Sequence, residues 1–207
     1  MTQKIFLIRH AEPVLPEKKI YLGQLDLPLS PRGIQQAEKL AKGLQNERLS
    51  QIFCSDLLRA EQTAQILALS QRLEISRCSE LREINLGKWE GKSFDEIRTY
   101  YPEEYAHRGT NIVSYRPPGG ESFADLKERV WPYINECLDR ATGNIAIVSH
   151  RGVIQVILCS LANLPLDQLF TFPQNYACVN ILEKEHSRLR VRITNYVYGE
   201  MQASENS

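Results

Sequence analysis

The stretch KIFLIRH, residues 4–10, sets an unbroken apolar run between a lysine and an Arg-His pair. A short run of this kind reads as a strand buried on both faces. Its end raises an electrostatic problem. Arg9 and His10 follow directly, and an unpaired charge in an apolar interior costs several kcal/mol or shifts its pKa. Either the pair emerges into water at a sheet edge, or an anion meets it there.

Working outward, the pattern alternates strands with helices. Residues 13–28 read as loop, with prolines at 13, 16 and 28 and a glycine at 23. Ser30 suits an N-cap and Pro31 the first helical position, after which Ile34, Ala37, Ala41 and Leu44 share one helical face. LSQIFCSD (49–56) is a second strand, followed by a helix over 57–69 with Leu57, Ala60, Ala64 and Leu67 inward. Residues 73–79 form a third strand, and 94–108 a polar, aromatic-rich helical excursion. Ser122 and Asp125 make a capping box for a helix carrying Phe123, Leu126, Val130, Ile134 and Cys137 on one side, with a kink expected at Pro132. NIAIVS (144–149) is the clearest buried strand, and the helix after it is apolar on most faces. ACVNILEKE and RLRVRITNYV close the sheet. They stand too close for a helical crossover, so one strand should run antiparallel.

These elements predict a three-layer α/β sandwich with a mostly parallel sheet and one antiparallel strand. The chain of 207 residues suits one domain over 1–200, with the excursion at about 93–120 over the site and a polar tail at 201–207. Lys plus Arg and Asp plus Glu each number 25, so no overall field attracts nucleic acid or an anionic membrane. The cysteines at 54, 78, 137, 159 and 178 are odd in number and never at CxxC spacing, which reads as buried thiols in a reducing cytoplasm. No secretory signal or membrane span is evident.

In an open α/β sheet, ligands bind beyond the carboxyl ends of the strands. His10 ends the first strand and His150 the NIAIVS strand; Arg59 follows the second and Glu83 the third. Each alone has a plain structural reading: Arg59 could pair with Asp56 or Glu61, and Glu83 could be a solvated carboxylate. Together, two arginines and two imidazoles without matching carboxylates repel one another unless a dianion such as phosphate neutralises them. His107 and His186 lie in polar surroundings and read as surface residues.

Five stretches carry a family resemblance. RHAE (9–12) resembles the RHG motif of the histidine phosphatase superfamily, the phosphoglycerate-mutase-like fold. GQLDLPLSPRG (23–33), CSDLLRAEQTA (54–64), LREINLGKWEG (81–91) and IVSHRGVI (147–154) resemble its further motifs in order. The resemblance implies that His10 is the nucleophile, taking the phosphoryl group as a phosphohistidine. It implies that Arg9, Arg59 and His150 grip the non-bridging oxygens, and that Glu83 is general acid toward the leaving alkoxide and then base toward water. No metal or other cofactor is implied, and the expected partner is a small phosphate ester, with the chain a monomer or homodimer. The EINLGKWEG stretch is similar to the phosphatase branch rather than the mutases. Within it, α-ribazole phosphatases and broad-specificity members are equally similar, which makes α-ribazole 5'-phosphate one expected substrate. Phosphoglycerate-mutase-type transfer and a non-catalytic phospholigand-binding module are the alternatives.

The chain departs from the family pattern twice. Ala11 replaces the usual glycine beside the nucleophile. Pro16 stands where many members have a phosphate-binding asparagine, and Gln24 is the candidate substitute. Other chemistries fit less well. Cys54 and Arg59 are separated by four residues where a cysteine phosphatase loop needs five. HAE lacks the P-C-x-x-C that completes a zinc deaminase, and no glycine-rich nucleotide loop occurs. PPGGES (117–122) reads as a turn plus helix cap. Trp89 could line the mouth of the site or pack on the sheet.

Overall fold

The computed structural model describes residues 3–185 and 188–199; His186 and the tail at 201–207 lie outside them. Six strands form one sheet: β1 (Gln3–Arg9), β2 (Leu49–Ser55), β3 (Ile75–Cys78), β4 (Asn144–Ser149), β5 (Val179–Glu185) and β6 (Arg188–Tyr196). Their spatial order is β3-β2-β4-β1-β5-β6. The first four run parallel, and β5 is antiparallel to both β1 and β6. β5 is therefore the reversed strand that the short β5–β6 connection requires.

Six helices complete the layers: α1 (Pro31–Leu44), α2 (Leu58–Gln71), α3 (Phe94–Tyr100), α4 (Pro102–Thr110), α5 (Phe123–Arg140) and α6 (Arg151–Leu161). Alternation along the strands sends side chains to two cores. Phe6, Ile8, Ile52, Cys54, Ala146 and Val148 pack on α1 and α2 with Leu40, Leu44, Ala60, Ala64 and Leu67. Ile5, Leu7, Phe53, Ile145 and Ile147 pack on α5 and α6 with Leu126, Val130, Ile134, Val153 and Ile157. All five cysteines are buried and unpaired. Burial pushes the Cys54 thiol up to about 12, which removes it as a nucleophile.

The inner face of α1 differs from the periodicity reading. Ala37, Ala41 and Leu44 are buried as that reading has them, but Ile34 is 44% exposed, and Gly33 and Leu40 are buried beside them. A side chain at Gly33 would collide with the Glu12 carbonyl oxygen, so the first turn is pressed backbone to backbone and Ile34 rotates outward. The third strand is shorter than expected, because Ser79 already opens a 3-10 turn. α5 continues through Pro132 to Arg140 as one helix. Trp89 is buried in the core between Tyr21 and Tyr115, with ring centroids 5.1 and 5.6 Å away, which settles it as packing.

The cap at Ser122 forms in both directions: its hydroxyl accepts from the Asp125 N–H, and Asp125 accepts from the Ser122 N–H. Ser122→Ala should lower unfolding free energy by about 1 kcal/mol in urea titration. A change near zero would show that this cap does not hold α5.

Candidate active site

Strand register builds the centre of the site. β1 and β4 pair with Arg9 opposite Ser149, so the residues that follow, His10 and His150, emerge side by side. The His10 N–H donates to the Ser149 carbonyl at 2.9 Å, and the two rings stand 5.0 Å apart. Both are buried, at 2% and 0% exposure.

His10 has a defined orientation. Its Nδ1 lies 2.7 Å from the Ala11 carbonyl oxygen, so Nδ1 carries the proton and Nε2 keeps a lone pair. Arg59 Nε donates to that Nε2 at 3.2 Å. Ala11 does not crowd the His10 ring: its methyl packs with Leu29, Ala37 and Ala177, and its N–H donates to Thr63.

Arg59 sits in the first turn of α2, where a helix N-terminus disfavours cations. It does not pair with Asp56, which takes Arg82, or with Glu61, which takes Arg77. Its guanidinium donates instead to the carbonyls of Leu25 and Gly23 at 2.6 and 2.8 Å. Gly23 holds φ +50°, and a side chain there would strike the Glu90 carboxylate, so this bend of the loop needs glycine. Arg9 donates to the Gln174 carbonyl at 2.6 Å and lies 3.8 Å over the Tyr176 ring. Tyr176 was not evident from sequence; it arrives from the loop before β5, and its ring is 5.7 Å from His10. The Arg9 Nε and both His150 nitrogens are buried without a partner among the described residues.

Glu83 comes from the loop after β3. One carboxylate oxygen accepts from the Ile84 N–H at 3.0 Å, the other from the Gly152 N–H at 3.2 Å. A methyl at Gly152 would overlap the Glu83 carboxylate, so the glycine two residues after His150 clears the space for it. Gln24 lies at the same loop: its amide donates to the Glu83 carbonyl at 3.0 Å. Pro16 and His107 are exposed. Among the described residues no group of three or more His, Cys, Asp or Glu side chains is arranged to hold a metal ion.

The electrostatics favour neutral imidazoles. Burial, reinforced by the charges of Arg59 and Arg9, holds His10 well below its ordinary value. Burial, then Arg59, His10 and Arg9, does the same to His150. An unfolded histidine titrates near 6.5, so below about pH 6.5 the unfolded chain binds more protons than the folded one. Stability is complete above that value and is lost as pH falls toward the folded pKa values. Each histidine should contribute about 1.4 kcal/mol in all between about pH 7.5 and 5.5, with the slope steepening as pH falls. Urea titrations of phosphate-free protein between about pH 7.5 and 5.5 check this, and His150→Asn should remove about half of the histidine slope. An undiminished slope would show that His150 is not a buried neutral group.

The sequence and the fold have counterparts among known proteins. One relative, "Phosphoserine phosphatase 1" of Hydrogenobacter thermophilus, is 31% identical over 195 residues, covering 92% of each chain. The "Adenosylcobalamin/alpha-ribazole phosphatase" of Escherichia coli is 27% identical over 193 residues, covering 93% of this chain and 95% of its own. The crystal structure of the alpha-ribazole phosphatase from Shigella flexneri superposes with a TM-score of 0.87 at 27% identity, over 96% of this chain and all of that one. Residues 5–196 match the Histidine phosphatase superfamily (branch 1), and the chain belongs to that family.

Proposed function

We propose that the chain is a metal-independent phosphomonoesterase that works through a phosphohistidine at His10. The observation that carries this reading is the His10 ring itself: Nδ1 is tied to the Ala11 carbonyl, and Nε2 is unprotonated beside the Arg59 guanidinium. A neutral imidazole held in this tautomer is a competent nucleophile at neutral pH.

In the proposed reaction the His10 Nε2 lone pair attacks phosphorus, and the bond from phosphorus to the ester oxygen breaks. Glu83 gives its proton to the departing alkoxide. Water then attacks the phosphohistidine, Glu83 takes the water's proton, the P–N bond breaks, and inorganic phosphate leaves. Phosphoryl transfer needs positioning and charge stabilisation above all, and Arg9 and Arg59 supply positive charge within a desolvated site. His150 donates one N–H while neutral. A dianion beside it favours its protonated form and a second donor. Gln24 reaches the Glu83 carbonyl and adds a polar group at the rim of the same cluster.

The substrate class is an alkyl phosphate monoester, α-ribazole 5'-phosphate among the expected ones. Phosphoserine and α-ribazole phosphate, the substrates in the relatives' names, are both alcohol rather than phenol esters, and alkoxides need a positioned acid. The α3–α4 excursion is proposed to cover the site and select the leaving group, since it exposes Tyr100, Tyr101 and Tyr105 at 74%, 39% and 38%. The five buried free thiols accord with a reducing cytoplasm.

Hydrolysis of p-nitrophenyl phosphate in the presence of a chelator tests the chemistry. The wild type should turn over, and His10→Ala should lose about 1,000-fold or more in kcat/KM. An acid-labile phosphoryl label on the quenched enzyme should vanish in the same variant. Wild-type phosphate binding without turnover would favour the binding module, and transfer to a second phosphate ester in place of water would favour the mutase. Tyr105→Ala should change the ratio of kcat/KM between two alkyl esters by about tenfold. Unchanged ratios would remove Tyr105 from leaving-group selection.

A further inference from the structure

Arg129 on α5 carries no motif, yet it spends every donor it has around the loop that bears Glu83. Its Nε and Nη2 donate to the two carboxylate oxygens of Glu121 at 2.7 and 2.8 Å. Nη1 donates to the carbonyls of Glu80 and Arg82 at 2.7 and 3.1 Å, and Nη2 to that of Glu83 at 3.2 Å. A guanidinium has five N–H groups, and this set uses them all. Glu121 completes the hold: its Oε2 accepts from the Asn85 N–H at 2.9 Å, and its own N–H donates to the Asn85 carbonyl at 2.7 Å.

The arrangement is directional rather than merely electrostatic. An exposed arginine–glutamate pair contributes little by itself, but here three carbonyls within four residues converge on one planar fork. Beyond the 3-10 turn at Ser79–Leu81 this stretch lies outside helix and strand, so its main-chain groups depend on such partners. Among the described residues the Glu83 carboxylate accepts only from the Ile84 and Gly152 N–H groups, so the position of its oxygens follows the position of its main chain.

We propose that Arg129, braced by Glu121, is a positioning residue for Glu83. It fixes the carbonyls on and before Glu83 and thereby holds the carboxyl group against the leaving oxygen. This rests on the phosphatase reading above. A purely structural role would weaken the fold without distinguishing substrates. A positioning role discriminates by leaving group, because p-nitrophenolate departs without a proton and an alkoxide does not.

The test compares kcat/KM of Arg129→Met on p-nitrophenyl phosphate and on O-phosphoserine or glycerol phosphate. The alkyl ester rate should fall about 30-fold or more, and the aryl ester rate by less than about threefold. In a Glu83→Gln background the same substitution should change the alkyl rate by less than about twofold, since an absent proton donor cannot be misplaced. Equal losses on both esters, or a full additional loss in the Glu83→Gln background, would overturn the proposal. Glu121→Gln and Arg129→Lys carry the same comparison if Arg129→Met does not fold, with a smaller discrimination in the same direction. A wild type without His10-dependent turnover would remove the phosphatase reading and this proposal together; turnover with uniform loss would remove this proposal alone.

Discussion

Two guanidiniums and two imidazoles share one desolvated sheet edge, and the constraint they obey is that their charge is held without being cancelled. Arg9 and Arg59 donate to the carbonyls of Gln174, Gly23 and Leu25, and among the described residues no carboxylate forms an ion pair with either. Carbonyl oxygens satisfy the N–H groups and fix their direction, yet they leave each positive charge intact. Burial, reinforced by that same charge, holds His10 and His150 well below the ordinary histidine value. An incoming dianion would therefore meet uncancelled cations and an unprotonated imidazole nitrogen, the His10 Nε2 that accepts from Arg59, at once. The turn at Gly23, the close approach of α1 to Glu12 and the stacking of Tyr176 on Arg9 all serve that arrangement.

The groups proposed to face phosphate and the one proposed to face the leaving alcohol come from different kinds of structure. Arg9, His10 and His150 sit at the ends of neighbouring strands, and Arg59 in the first turn of a helix, so strand register and helix geometry define where they stand. Glu83 sits on a loop and must be located by side chains from elsewhere. Gly152 connects the two parts: its N–H meets the Glu83 carboxylate, and its missing side chain gives that carboxylate room.

Much of this was legible in the sequence, for identifiable reasons. Apolar runs and capping residues located the strands and the ends of α1 and α5, and the spacing of RH, LLR, LRE and SH placed the chemistry-bearing residues at strand ends. Ile34 misled because helical periodicity cannot register a backbone contact such as that of Gly33 with Glu12. Trp89 could not be placed from sequence, since an indole suits a core and a rim equally. Tyr176 and Arg129 left no local signal at all. Tyr176 reaches Arg9 because β5 pairs with β1, and Arg129 acts through carbonyls, which every residue possesses. Gly152 was written in the SHRG stretch, but its reason is visible only with Glu83 beside it.

The β1–β4 pairing also sets an order in time. His10 lies near the beginning of the chain, and the strand that brings His150 beside it follows about 135 residues later. Arg9 then waits for Gln174 and Tyr176, from the loop that leads into β5. Contacts of such long sequence separation form late, because loop-closure entropy opposes them until the elements between have folded. During synthesis from the N-terminus, the Arg9-His10 pair is thus carried on an incomplete sheet with no counterpart for most of the chain's length. A ribosome-bound fragment ending before β4 would display the Arg9-His10 sequence without the neighbours that bury and orient it.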